Sequence, residues 1–196
     1  MGSKGDALRQ RIVAAADELF YKKGYENTSF RDISDEVNIS RGNFYYHFKS
    51  KDEILNAVID ARISAFESML KAWDKKIIDP KKRLYYFIDM LSRNEDEITS
   101  YGCPVGGLCT ELAKTSHAMQ GDANRMFIVF CDWIVTQLKL LGIKNNTKQV
   151  ALHLLVLAQG AVTISNAFED KRFLQQEVKR AKQWLDAEIP KYSRDE

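Results

Sequence analysis

The run NISRGNFYYHFKSKDEIL, Asn38 to Leu55, concentrates side chains able to hold a nucleic acid. Arg41 can make two hydrogen bonds to guanine and Asn43 two to adenine, the pairings that read a major-groove edge. Tyr45, Tyr46, His47 and Lys51 add hydroxyl, imidazole and ammonium donors suited to phosphate oxygens. Ser40 and Gly42 keep the start of this segment small, so its backbone can come close to a groove. Upstream, Thr28 and Ser29 place hydroxyls and free backbone N–H groups at another expected helix start, a ready anion site.

A second chemically active stretch is YGCPVGGLCTELA. Cys103 directly precedes Pro104 at an expected helix N-terminus, where the dipole favours thiolate, and a thiolate can be reversibly oxidised or form an adduct. The alternative is structural: Gly102, Gly106 and Gly107 permit a tight turn and close packing, with Cys103 and Cys109 as small buried residues. Cys103 with His117 or His153 would make a nucleophile and a base, but their spacing follows no catalytic pattern, and no enzyme is expected. Cys103, Cys109 and Cys131 form no C-x-x-C pair and are odd in number, against both a disulfide framework and a zinc site. Neither metal nor cofactor is expected.

The elements that must position these residues are helices. Residues 6 to 23 place Ile12, Val13, Ala16, Leu19 and Phe20 at helical spacing before a glycine stop at Gly24. NTSFRDISDEV starts a short second helix capped by Thr28 or Ser29, with Phe30, Ile33 and Val37 on one face. After a brief turn, Ser40 caps a third, and SKDE opens a fourth with the capping-box pattern of Ser50 and Glu53. Asp79-Pro80 is a cap followed by proline at the first helical position. Pro104 starts a helix toward His117 after a glycine-rich interruption, and residues 122 to 141 form another. Thr147 caps a long segment to Phe168 that is apolar nearly all round, and a last helix ends before Pro190. No segment alternates with a strand's period of two, so the fold class is all-α.

The chain of 196 residues is 45% hydrophobic and 29% charged, a globular rather than a disordered composition. A net charge of +2 decides nothing about nucleic acid, because a DNA-binding face needs only a local basic patch. Charges interrupt the first 23 residues, so no secretory signal is expected there, and no run approaches about 18 uninterrupted apolar residues. The location expected is cytoplasmic.

Ala15 to Leu55, AADELFYKKGYENTSFRDISDEVNISRGNFYYHFKSKDEIL, resembles the TetR family of bacterial transcriptional regulators in its ordered succession of helix, glycine stop, capped helix, turn, recognition helix and YYHFKSKDEIL. The resemblance implies a helix-turn-helix DNA-binding domain over residues 1–50 and a helical effector-binding and dimerisation domain over 51–196, joined by the helix from about 51. It implies a homodimer that binds an operator in double-stranded DNA and is released by a small-molecule effector. Repression is the commoner behaviour in the family. On this reading Thr28, Ser40, Gly42, Tyr45, Tyr46, His47 and Lys51 approach phosphates or bases, Arg41 and Asn43 read bases, and Phe44 and Phe48 pack inward.

The resemblance also implies a four-helix interface from the last two helices of each subunit, with Leu154, Leu157, Ala161, Ile164, Val178, Trp184 and Leu185 as interface or core positions. The effector is expected to be apolar or electrophilic. Tyr85, Tyr86, Met90, Met119, Phe127, Phe130, Trp133 and Phe168 are candidates to line its pocket, with Glu111, His117, Asp132, Gln159 and Asn166 as polar groups able to orient it. The Gly-Cys stretch resembles one found in a subset of these regulators, some of which sense electrophiles or oxidants through cysteine, which makes Cys103 a candidate sensor. A rival reading is a protein-interaction module that keeps the helix-turn-helix without binding DNA. It predicts little salt dependence, whereas a dimer neutralising several phosphates loses affinity steeply as salt rises.

Overall fold

The computed structural model describes residues 4–115 and 117–192. Among them all regular structure is helical: α1 (Lys4–Lys23), α2 (Phe30–Glu36), α3 (Arg41–His47), α4 (Lys51–Lys76), α5 (Pro80–Arg93), α6 (Glu95–Tyr101), α7 (Pro104–Lys114), α8 (Gln120–Leu140), α9 (Thr147–Phe168) and α10 (Lys171–Tyr192).

Five of these helices begin where a side chain satisfies backbone N–H groups that have no partner inside the helix. Ser29 caps α2 reciprocally: its hydroxyl accepts from Asp32 N at 3.1 Å while the Asp32 carboxylate accepts from Ser29 N at 2.8 Å. Ser40 Oγ accepts from Asn43 N at the head of α3. Ser50 Oγ accepts from Glu53 N at 3.1 Å, and the Glu53 carboxylate reaches one residue further than a capping box requires, to Lys49 N at 2.7 Å. Asp79 caps α5 with Pro80 in the first turn, and Asp170 accepts from Arg172 N and Phe173 N at the start of α10.

The structure adds one helix and differs from two local expectations. The stretch before the glycine-rich turn contains α6, whose acidic first turn, Glu95 to Glu97, faces the positive end of the helix. The cap of α9 is Asn146 in left-handed conformation (φ +58°) with no side-chain bond, and Thr147 is the first helical residue. Pro190 lies inside α10; a proline removes one helical N–H but does not have to end a last turn.

The chain packs as two compact units, Met1–Ala65 with Pro104–Met126, and Phe66–Cys103 with Phe127–Glu196. The first therefore holds α1 to α3, the first part of α4, α7 and the start of α8. Its core includes Ile12, Phe20, Ile33, Phe44, Phe48, Leu55 and Leu112. Arg62 of α4, 6% exposed, is paired inside this unit: Nε meets Asp17 Oδ1 at 2.5 Å and Nη1 donates to Pro104 O at 2.6 Å. The second unit is built on α5, α6, α9 and α10 with the remainders of α4 and α8. Its core includes Trp73, Leu84, Phe87, Trp133, Ile134, Leu154 and Leu174.

Candidate nucleic-acid interface

Val37 closes α2, Asn38 takes a left-handed turn (φ +52°), and Ile39 N donates back to Ser34 O at 3.1 Å before Ser40 opens α3. Asparagine tolerates this conformation better than most residues. The tight turn lets Phe44 and Phe48, each 1% exposed, drive one side of α3 into the core. Phe30 of α2 packs on Phe44 at 5.2 Å and on Tyr45 at 5.4 Å between ring centres, which fixes α3 against α2. About 1 kcal/mol beyond simple burial is typical of each such aromatic pair.

What the packing leaves outside is polar. Arg41, Gly42 and Asn43 are exposed in the first turn of α3, Tyr45 is 46% and Tyr46 77% exposed, and half-buried His47 meets the Tyr46 ring edge-on at 5.2 Å. Ser29, at the head of α2, shares with Phe30, Arg31, Ser34, Arg41, Phe44 and Tyr45 a surface depression of about 270 Å³. Arg31 belongs to this surface although the sequence reading passed over it. Its only sequence signal is its place in the first turn of a capped helix.

Two expected surface residues face inward. Thr28 is 1% exposed; its hydroxyl donates to Gly24 O at 2.7 Å and its N–H to Tyr25 O at 3.2 Å, so both donors are spent closing the turn before α2. Lys51 is half-buried, with its ammonium donating to Tyr25 O at 3.0 Å and lying 4.2 Å from the centre of the Tyr25 ring. Both residues shape the turn rather than present a free donor.

In the second unit the expected effector-lining residues do not converge on one place. Tyr86, Phe130 and Trp133 join an aromatic cluster with Trp73, Phe66 and Phe87: Trp73 lies 5.0 Å from Tyr86 and 5.9 Å from Trp133, and Phe130 lies 4.8 Å from Phe66 and 5.7 Å from Phe87. A polar network runs through the cluster. Trp133 Nε1 donates to Asp74 Oδ1 at 3.1 Å, Arg83 donates to Gln137 Oε1 at 3.0 Å and to the carbonyls of Asp74 and Ile77, and Gln137, 1% exposed, donates to Asp74. Nothing local in the sequence marks Asp74, Arg83 and Gln137 as partners.

Tyr85 instead donates its hydroxyl to Asp186 of α10. Burial first, and then that bond, push its phenol above the usual range. Cys103 packs beside Ile98, Ala161, Val162 and Leu174, with Gln159 Nε2 at 3.4 Å from its sulfur. Met90 and Phe127 are half-buried, Phe168 is 75% exposed, and Met119 belongs to the first unit. Of the polar candidates, Asn166 donates to Thr99 O at 2.9 Å and Asp132 is exposed, while Glu111 and His117 lie in the first unit. His117 faces Asp52 at 3.5 Å, and the His153 ring lies tilted against Trp184 at 4.7 Å between ring centres. Cys131 is buried, which raises its thiol pKa.

The expected interface positions also divide. Leu154, Ala161, Val178 and Leu185 are buried within the protomer, whereas Leu157 and Trp184 are half-buried and Ile164 is 41% exposed. The open face of α9 is the row Leu152, Val156, Gly160, Ile164 and Phe168, spaced by four residues. Among the described residues α9 alone has the length and apolarity of a membrane span, with a mean hydropathy of 1.5 over 18 residues, of which 44% are buried. Apolar helices of this kind also form the cores and subunit interfaces of soluble bundles.

Comparison with known proteins accounts for both units. The sequence model of the family described as "Bacterial regulatory proteins, tetR family" matches residues 12–58, from α1 into α4. An uncharacterized HTH-type transcriptional regulator in the lacX 3′ region of Lactococcus lactis subsp. lactis is 30% identical over 178 residues, 85% of this chain and 87% of that protein. The HTH-type transcriptional repressor DhaR of Mycobacterium sp. (strain GP1) is 25% identical over 122 residues, 61% of this chain and 60% of the repressor. The crystal structure of a TetR-family regulator from Cytophaga hutchinsonii superposes over 100% of both chains with a TM-score of 0.83 at 22% identity, a likeness of fold. The chain belongs to the TetR family of bacterial regulatory proteins, and is a DNA-binding transcription factor rather than an enzyme.

Proposed function

We propose that the chain acts as a homodimeric, cytoplasmic repressor that binds a palindromic operator through α3 and is released by a small-molecule effector. The observation that carries the reading is the division of α3 into a buried phenylalanine side and an exposed side bearing Arg41, Asn43, Tyr45 and Tyr46. Arg41 and Asn43, in the first turn, read bases. Ser29, Ser40, Tyr45, Tyr46 and His47 grip the phosphates on either side. Gly42 supports this assignment: a Cβ there would meet nothing within 4 Å. A helical glycine costs about 1 kcal/mol relative to alanine. A reason for it therefore lies outside the protomer, in close approach to the groove.

The dimer forms through α9 and α10, with Leu152, Val156, Gly160, Ile164 and Phe168 supplying the open apolar row and Leu157 and Trp184 its margin. Val156→Lys is expected to weaken dimerisation by tenfold or more, of the order produced by burying an unpaired charge, as read by analytical ultracentrifugation. The effector acts by population shift, binding more tightly to the conformation that does not fit the operator. The aromatic cluster around Trp73 and Trp133 is the site proposed for an apolar ligand. Covalent modification of Cys103, beside Gln159, is the alternative signal.

Selection of bound sites from a random duplex library tests the reading. The expected result is an inverted repeat with half-sites about one helical turn apart. Absence of enrichment at low salt would instead support a module that no longer binds DNA.

A further inference from the structure

The turn between α1 and α2 is held from two sides by groups of opposite charge. Tyr25 N donates to Glu111 Oε2 at 2.9 Å and Glu26 N to Glu111 Oε1 at 2.8 Å, across 86 and 85 residues of sequence. The carbonyls of the same two residues accept from Lys51 Nζ at 3.0 and 3.4 Å. A carboxylate on α7 thus takes the N–H groups of this dipeptide, and an ammonium on α4 takes its C=O groups. Gly24, in left-handed conformation (φ +87°), leaves room for this grip, because a Cβ there would lie 3.1 Å from Glu111 Oε1.

The side chain between them is fixed as firmly. Tyr25 is 2% exposed; its hydroxyl donates to Asp52 at 2.5 Å, and His117 meets its ring edge-on at 5.3 Å. Burial, and then the bond to Asp52, raise its phenol pKa well above the ordinary value. His117 Nδ1 accepts from Met119 N at 3.1 Å, which leaves the proton of the neutral ring on Nε2, facing Asp52. Directly downstream, Thr28 N donates to Tyr25 O and Ser29 caps α2. The 25–26 dipeptide therefore sets the direction in which α2, and with it α3, leaves the turn.

We propose that Glu111 is a positioning residue for DNA reading: through its two backbone bonds, α7 fixes the orientation of α2 and α3. The proposal rests on the reading that α3 faces DNA. The helix that carries Glu111 starts at Pro104. Arg62 holds that start through Pro104 O. A change at the head of α7 would move Glu111 and loosen the turn without touching any group that meets DNA.

The test uses the full-length protein, its selected operator, and a random duplex of equal length. Charge-assisted bonds to backbone N–H groups are among the stronger hydrogen bonds, so Glu111→Ala should lower operator affinity about tenfold. Affinity for random duplex and the salt slope should stay unchanged, because no phosphate contact is lost. Glu111→Gln keeps one carbonyl acceptor and should fall between, at about threefold; exposed Thr110→Ala should match the unaltered protein. Where Glu111→Ala does not give folded protein, the glutamine variant carries the test. Operator affinity within twofold of the unaltered protein in the variant tested would overturn the proposal. So would equal gains in Glu111→Ala and Glu111→Gln, the mark of a purely electrostatic role, or parallel losses on operator and random duplex. Failure of the DNA-reading assignment looks different: the unaltered protein would then prefer no duplex, and the proposal would fall with it.

Discussion

The two units put their polar side chains to opposite uses. In the first, Ser29, Asp32, Thr28, Lys51 and Glu111 are spent on backbone ends and one turn, and Arg41, Asn43 and Tyr46 of α3 stay exposed. In the second, Asp74, Arg83 and Gln137 lie inside an aromatic cluster and tie the end of α4 to α5 and α8. A reading surface needs donors that keep a fixed direction while exposed, so its rigidity comes from caps and turns beneath it. In the second unit the buried polar groups satisfy one another and hold three helices together.

The largest effect that could break this comparison is in the core under α3. Phe44→Ala removes a fully buried ring and should cost about 3–5 kcal/mol of unfolding free energy, with operator binding lost. Tyr46→Ala, on the opposite side of the same helix, should change stability by no more than about 0.5 kcal/mol, as exposed substitutions usually do, while weakening DNA binding. Chemical denaturation followed by duplex titration measures both. Similar losses in the two variants would show that α3 has no free face.

The second unit is sharpened by Arg83→Met. It removes the donor to buried Gln137 and the cation beside Asp74, whose side chain is 36% exposed; with the charge partly screened by water the cost should be about 1–3 kcal/mol. Pairing it with Asp74→Leu should restore part of the loss, as a double-mutant cycle in thermal unfolding would register. Additive losses would mean that the network is not a unit.

A smaller loss than either core variant is expected at the cap of α2. Ser29→Ala should cost about 1 kcal/mol. The Ser29 hydroxyl, and next its backbone N–H, hold the Asp32 carboxyl below its ordinary value. Unfolded Asp32 therefore takes up its proton at higher pH than folded Asp32 does. The cap's contribution is complete above the unfolded value and is lost as pH falls through the lowered folded one. Acid titration of the helical signal should show that loss in the unaltered protein and less of it in Ser29→Ala.

The sequence carried the helices well where the signal was local. Ser40, Ser50 and Asp79-Pro80 mark true helix starts, and the spacing of Phe44 and Phe48 marks the inner side of α3. Thr28 and Ser29 satisfy the same capping rule, and only the left-handed Gly24 and the Thr28 hydroxyl folding back on it decide between them. The Glu111 grip spans 86 residues and has no local signature at all. For α9, apolar residues all round conceal which face is inside. The packing of α6 and α10 buries Leu154 and Ala161 and leaves Val156 and Ile164 open. Pocket lining was the least legible, because Tyr85 and Tyr86 are neighbours in sequence but turn to different partners, Asp186 and Trp73.

The central claim is that the first turn of α3 reads bases. Site selection run in parallel on the unaltered protein, Arg41→Ala and Asn43→Ala tests it most directly. Each variant should lose preference at its own base position in both half-sites, a discrimination of about 1–3 kcal/mol for a good bidentate contact, while preference at the other positions is kept. Unchanged preference in both variants, with or without weaker binding overall, would contradict the account.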